Sequence, residues 1–193
     1  MIRTLRAALI CSVAAFLSPS LAQTQESFRF VALGDMPYGD PDVEFGPYKS
    51  LIKVINRKVP AFTVHLGDIK SGSTPCSDQA LIEQLAFLNS IDGPVLYTPG
   101  DNEWTDCHRA KAGGYDPLER LTFIRKTFFA GGARSLGGTP MAVERQADAM
   151  NDYAAYVKNI RFKIAGVHVI TAHVVGSNNN FKTRDLAAAN ELF

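Results

Sequence analysis

The sequence contains no Cys-x-x-Cys pair, which leaves it without the usual spacing of a structural zinc site. No Gly-x-Gly-x-x-Gly follows its first hydrophobic run, so a nucleotide-binding α/β module ranks last among the readings. Charge of one sign is missing too. Twenty Lys and Arg face 19 Asp and Glu, for a net +1, and no electrostatic field toward nucleic acid is present. Histidine is scarce, at four in 193 residues, which leaves few imidazoles to bind ions or carry protons. What is there is ordinary for a globular chain: 46% hydrophobic and 20% charged residues, enough for one domain.

The first 22 residues read as a secretory signal peptide. Arg3 and Arg6 form the basic region, Ala7 to Leu17 the apolar one, and Ser20-Leu21-Ala22 puts small residues at the cleavage-reading positions. The apolar stretch falls short of the roughly 20 residues that span a bilayer. The expectation is a periplasmic or secreted protein of residues 23–193, with no membrane partner after cleavage and a net charge of −1 once Arg3 and Arg6 are removed. Cys11 leaves with the signal. Cys76 and Cys107 remain, and an oxidising compartment permits a disulfide between them.

Three hydrophobic runs end in Gly-Asp: Phe28 to Asp35, Ala61 to Asp68 and Pro94 to Asp101. The gaps are equal, at about 33 positions, which suits a strand, a crossover helix and the next parallel strand. The three aspartates are then expected side by side at the carboxyl ends of neighbouring strands, where open α/β sheets bind ligands. Carboxylates converging on one rim repel unless cations join them, so the pattern is in itself a metal-site expectation. Cys76 and Cys107 each follow one of these motifs by a few residues, so with those strands as neighbours a Cys76–Cys107 bridge can form across the same rim and brace its loops; two unrelated thiols are the alternative.

Between the runs, Met36 to Gly46 reads as a loop and Pro47 to Val59 as a helix stopped by Pro60. Ser77 or Asp78 caps a helix carrying Leu81, Ile82, Leu85, Phe87 and Leu88. Asp116-Pro117 opens another, with Leu118, Leu121, Phe123, Ile124, Phe128 and Phe129 as its buried face. The segment from Glu144 to Asn151 is polar and carries no clear period. Arg161 to Val175 reads as a hairpin turning near Gly166. Thr183 to Phe193 begins a helix, and its abrupt end suggests a truncated domain. The fold class expected is α/β, built of three βα units plus a β-hairpin.

The motifs Gly34-Asp35-Met36-Pro37-Tyr38, Gly67-Asp68-Ile69-Lys70 and Gly100-Asp101-Asn102-Glu103 resemble those of the calcineurin-like metallophosphoesterase superfamily. That family carries Gly-Asp-x-His, Gly-Asp-x-x and Gly-Asn-His-Asp/Glu at the ends of its first three strands. The resemblance implies the N-terminal part of a β-sandwich flanked by helices. It also implies two divalent ions (Mn, Fe, Zn or Mg) and hydrolysis of a phosphate mono- or diester by metal-bound hydroxide. Asp68 would bridge the ions, Asp35 would hold the first, and Asp101 stands where the family has a metal-binding Asn. Glu103 would orient its neighbours.

The departures are as informative. Pro37 replaces the family's first His, and Tyr38, one residue on, is a candidate substitute ligand. Asn102 replaces the His that assists the leaving group; an amide donates hydrogen bonds but transfers no proton. His108, in the rim loop, is the candidate substitute acid or phosphate contact. Nothing matches the family's later Gly-His-x-His motif, which supports the reading of a premature end. His173 loosely mimics the family's fourth motif, while His65 and His168 read as structural. Lys70, Arg109 and Arg134 are candidate phosphate contacts, Asn178 to Asn180 a candidate pocket lining, and Trp104 either a stacking platform or a loop plug. The alternative function is a catalytically weak metal- and phosphate-binding protein of the same fold. The partner expected is a phosphorylated small molecule or ester; the oligomeric state is left open.

Overall fold

The structure, a computed structural model, describes residues 26–174. The signal segment, Asn178 to Asn180 and the helix expected from Thr183 lie outside the described residues. Three strands, β1 (Val31–Leu33), β2 (Thr63–His65) and β3 (Val95–Tyr97), form a parallel sheet in the order β1-β2-β3. The helices α1 (Pro41–Lys58) and α2 (Asp78–Asn89) are the crossovers, and α3 (Pro117–Phe128) follows β3. A second, antiparallel sheet joins β4 (Glu144–Arg145), β5 (Ile160–Ile164) and β6 (Val167–Thr171), with a short helix α4 (Gln146–Ala149) after β4. The chain is α/β, with its strands and helices in the expected order and with bounds that differ in places.

Alternation along the strands divides the core in two, because successive side chains leave a strand on opposite faces. Leu33, Val95 and Tyr97 face the helices, meeting Ile52 and Ile55 of α1, Leu81 and Leu88 of α2, and Leu121, Ile124 and Phe128 of α3. Val64 and Leu96 face the other way and pack with Val143, Ile160, Phe162 and Val169 of the second sheet. Phe62 closes this layer, its ring edge-on to Phe162 at 5.2 Å. The two sheets therefore stack face to face with the helices on one outer side.

Two local expectations need correction. The loop expected from Met36 to Gly46 is shorter, because α1 starts at Pro41. Asp40 caps it, accepting from the Asp42 N–H at 3.0 Å, and Pro41 at the first helical position supplies a preset φ, so the start signal lies six residues before Pro47. Pro47 lies inside the helix. The strands are also shorter than the hydrophobic runs that contain them, since the ladder of β1–β3 covers only three residues each. The other caps fall as expected. Ser77 accepts from Ala80 N–H at 3.2 Å, Asp116 from Glu119 N–H at 2.8 Å, and Val59 ends α1 in the left-handed region just before Pro60. In the hairpin, Ala165 and Gly166 both have positive φ, the two-residue turn whose twist matches paired strands.

Candidate metal centre

The rim at the carboxyl ends of β1, β2 and β3 is set by register. Leu33, His65 and Tyr97 are mutual partners across the sheet. Asp35, Asp68 and Asp101 follow them, each one position further past its strand end than the last. All three line one cleft of about 330 Å³, walled on its apolar side by Leu66, Pro99, Ala172 and Val174. Asp35 and Asp68 hold left-handed backbone, at φ 57° and 53°. Aspartate tolerates this region better than most residues, yet two such positions on one rim fit a purpose beyond chain reversal. Close approach of the loops is secured by glycine. A Cβ on Gly100 would collide with the Asp68 carboxylate and stand 2.6 Å from the Asp68 nitrogen.

Tyr38 joins this group. Its hydroxyl reaches Asp35 Oδ1 at 3.4 Å and accepts from Asn102 Nδ2 at 2.8 Å. Burial, then the charges of Asp68 and Asp35, push the phenol well above its ordinary value, so it remains protonated at neutral pH. Asn102 is the connector: its backbone N–H also donates to Asp68 Oδ1 at 3.2 Å. Asp68 is pushed up by burial first and further by Asp101 and Asp35, against the pull of that N–H. The Tyr38 hydroxyl at Asp35, the Asn102 N–H on Asp68 and the charge of the buried Lys70 near Asp68 offset part of the repulsion among the three aspartates.

Glu103 lies beneath the rim, fully buried. Its Oε1 accepts from Ile69 N–H at 3.0 Å and from Tyr97 Oη at 3.1 Å, while Oε2 has no hydrogen-bond partner among the described residues. Burial dominates, with Asp68 adding to it, and lifts this carboxyl to about 7. Through Ile69, Glu103 holds the backbone beside Asp68, as a positioning group would. Cys76 and Cys107 form the expected disulfide, with Cα atoms 5.7 Å apart and both side chains buried.

The remaining candidates divide. His108 is exposed and turns its Nδ1 to the Thr105 carbonyl at 2.5 Å, and it is not among the residues lining the cleft. Lys70 is almost wholly buried, its ammonium donating to the Ser71 carbonyl at 3.1 Å, so as a phosphate contact it is badly placed. Arg109 pairs with Asp106, and Arg134 donates to the Pro140 carbonyl at 2.8 Å. Trp104 is fully buried, which makes it the loop plug and removes it as a stacking platform. His65 is buried under the sheet on the helix side. His168 faces Lys163 across the hairpin on an exposed position. His173 lies with its ring 5.6 Å from that of Trp104, and its neighbours Ala172 and Val174 line the cleft. The connector role of Asn102 is not legible in the sequence, which offers it as a catalytic-site amide able to hydrogen-bond a phosphoryl oxygen but not to transfer a proton. Its one visible signal was its place directly after Asp101.

The donor set can be tested against the ions the family resemblance implies. Carboxylates and a phenol are hard oxygen donors that suit Mg and Mn better than Zn. Among the described residues, no three His, Cys, Asp or Glu side chains form a ready-made metal cage. The donor types on the rim suit a divalent cation, while their spacing does not make a formed ion-binding group among the described residues. Comparison of the chain with protein-family models, with curated proteins and with solved structures finds no match in any of the three.

Proposed function

We propose that this protein is a metal-dependent phosphoesterase acting outside the cytoplasm, which hydrolyses a phosphate mono- or diester. One observation carries the reading: three aspartates from the ends of three consecutive parallel strands line a single cleft. The stacked sheets are what the metallophosphoesterase resemblance leads one to expect, and we carry that finer fold assignment as part of the proposal. Asp35, Asp68 and Asp101 would hold the cations, with Tyr38 beside Asp35. Two bound divalent ions would supply Lewis acidity and a nucleophile at neutral pH.

The chain's own residues do the rest. Asn102 fixes Asp68 and Tyr38 by hydrogen bonds and excludes itself as a proton donor. Glu103 holds the Asp68–Ile69 backbone. Among the described residues no acid other than the aspartates lines the cleft, so aryl phosphates, with their better leaving groups, should turn over faster than alkyl phosphates. The test uses p-nitrophenyl phosphate and bis(p-nitrophenyl) phosphate with Mn, Mg, Fe or Zn supplied in turn. The expected result is cation-dependent release of p-nitrophenol that falls at least 100-fold in Asp68→Asn.

A second reading, a metal- and phosphate-binding protein with little turnover, is favoured by the commitment of Asn102 to Tyr38 and of His108 to Thr105. Cation binding without hydrolysis of either substrate would select it. No cation binding at all would overturn both.

A further inference from the structure

The two rim loops after β2 and β3 are tied together at three levels. Glu103 takes the Ile69 N–H, Asn102 donates its own N–H to Asp68, and the disulfide joins Cys76 to Cys107. The third tie touches the second. The Asn102 carbonyl oxygen rests against both sulfurs, 3.6 Å from Cys76 Sγ and 3.7 Å from Cys107 Sγ. The bridge is itself anchored on the side away from the rim. Cys76 N–H donates to the Ala112 carbonyl at 2.9 Å, Tyr115 N–H to the Cys107 carbonyl at 2.8 Å, and Arg120 Nη1 to the Cys76 carbonyl at 2.9 Å. The Asn102 carbonyl therefore packs against the sulfurs, while its N–H holds Asp68 and its side chain holds Tyr38.

We infer that the Cys76–Cys107 disulfide is a positioning element of the cation site, acting through Asn102 on Asp68 and Tyr38. This rests on the proposed cation site. The physical reason is positional tolerance: ligand groups must be held to about half an ångström, and loops hold less well than strands unless their supports are locked. Asp101, Asn102 and Glu103 lie beyond the last ladder residue of β3, so no sheet hydrogen bond fixes them. Without the covalent tie, the Asn102 peptide has apolar space to settle into where the sulfurs stood, and the N–H that orients Asp68 moves with it.

The test is calorimetric titration of Mn²⁺ into the purified protein, into Cys76→Ala/Cys107→Ala, into Asn102→Gly and into the combination. The wild type should bind. The paired cysteine variant, checked for fold by near-UV circular dichroism, should bind about 10-fold more weakly, and so should Asn102→Gly. The combination should fall short of the sum of the two effects, because both act through residue 102. Full additivity, or wild-type affinity in a folded cysteine variant, overturns the inference and leaves the proposed function standing. Absence of Mn²⁺ binding by the wild type overturns both. Should the alanine pair fail to fold, Cys76→Val/Cys107→Ala refills the volume without the tie. Wild-type affinity in bridged Asn102→Gly overturns the Tyr38 part of the inference, since that variant loses the side-chain bond to Tyr38 and keeps the N–H on Asp68.

Discussion

Gly100 shows how a single atom governs the rim. It has no unusual φ; what it lacks is the side-chain carbon that would run into the Asp68 carboxylate. Gly67 meets the same loop from the other side, where a Cβ would press on the Gly100 nitrogen and stand 2.6 Å from the Pro99 carbonyl carbon. Gly100→Ala should therefore cost about 1–3 kcal/mol by overpacking, measured as a fall in urea midpoint, and weaken Mn²⁺ binding by displacing Asp68. Gly46 is the contrast. It lies in α1 with nothing within 4 Å of the position a Cβ would take. Gly46→Ala should stabilise the protein by about 0.5–1 kcal/mol and leave the rim untouched. Destabilisation of similar size in both variants would show that steric access at Gly100 is not what matters.

Among the elements, α3 does more than cover the sheet. Arg120 is nearly buried, reaches Asp78 at the start of α2 at 2.6 Å and the Cys76 carbonyl at 2.9 Å, and stacks between Tyr115 and Phe123. Arg120→Ala strips a buried carbonyl of its donor and should cost about 2–3 kcal/mol in chemical denaturation. Asp78→Ala should cost well under 1 kcal/mol, because Asp78 is largely exposed. Equal losses would mean that the ion pair, and not the carbonyl contact, ties α3 to the disulfide loop. None of this was legible in the sequence, where Arg120 is one charge on an amphipathic helix. What was legible is the helices themselves, through apolar spacing and the caps Ser77 and Asp116. The start of α1 was missed because Pro47 was read as the opening proline, while Asp40-Pro41 carried the same signal earlier. The disulfide was legible because both cysteines follow Gly-Asp motifs. The placement of Asn102 against its sulfurs was not, since it depends on how two loops fold back beyond the ladder.

Across the whole molecule, two buried groups on the same side of the parallel sheet titrate against each other. Burial holds His65 down at about 4, with the Met36 backbone and Asp35 opposing and the Tyr97 ring nearby. Its neutral form is what the fold accommodates, so its contribution is intact above pH 6.5 and is lost as pH falls toward 4. Glu103, lifted to about 7 beside Tyr97, Asp68 and the buried Lys70, behaves oppositely. Its charge is a burden above pH 7, and stability is regained as pH falls from 7 to 4.5. In chelator the contributions of these two groups nearly cancel between pH 4.5 and 6.5. Glu103→Gln should uncover the histidine slope, a loss of roughly 2–3 kcal/mol on acidification over that range. His65→Gln should tilt the profile the other way. Parallel profiles in all three proteins would refute the opposition. The three carboxylates were legible at this scale from their spacing alone, whereas the buried Glu103–Tyr97 contact needed the register of β3.

The offset between strand partners and aspartates has one more consequence. Because each carboxylate is reached by a longer stub of chain than the one before, the rim climbs like a staircase whose step heights belong to the short stubs and not to the crossovers. Residues added to or removed from the outer turns of α1 or α2 change the length of the detour and are absorbed there. One residue removed between Tyr97 and Asp101 takes out a stair, and the third carboxylate comes to rest over the wrong tread.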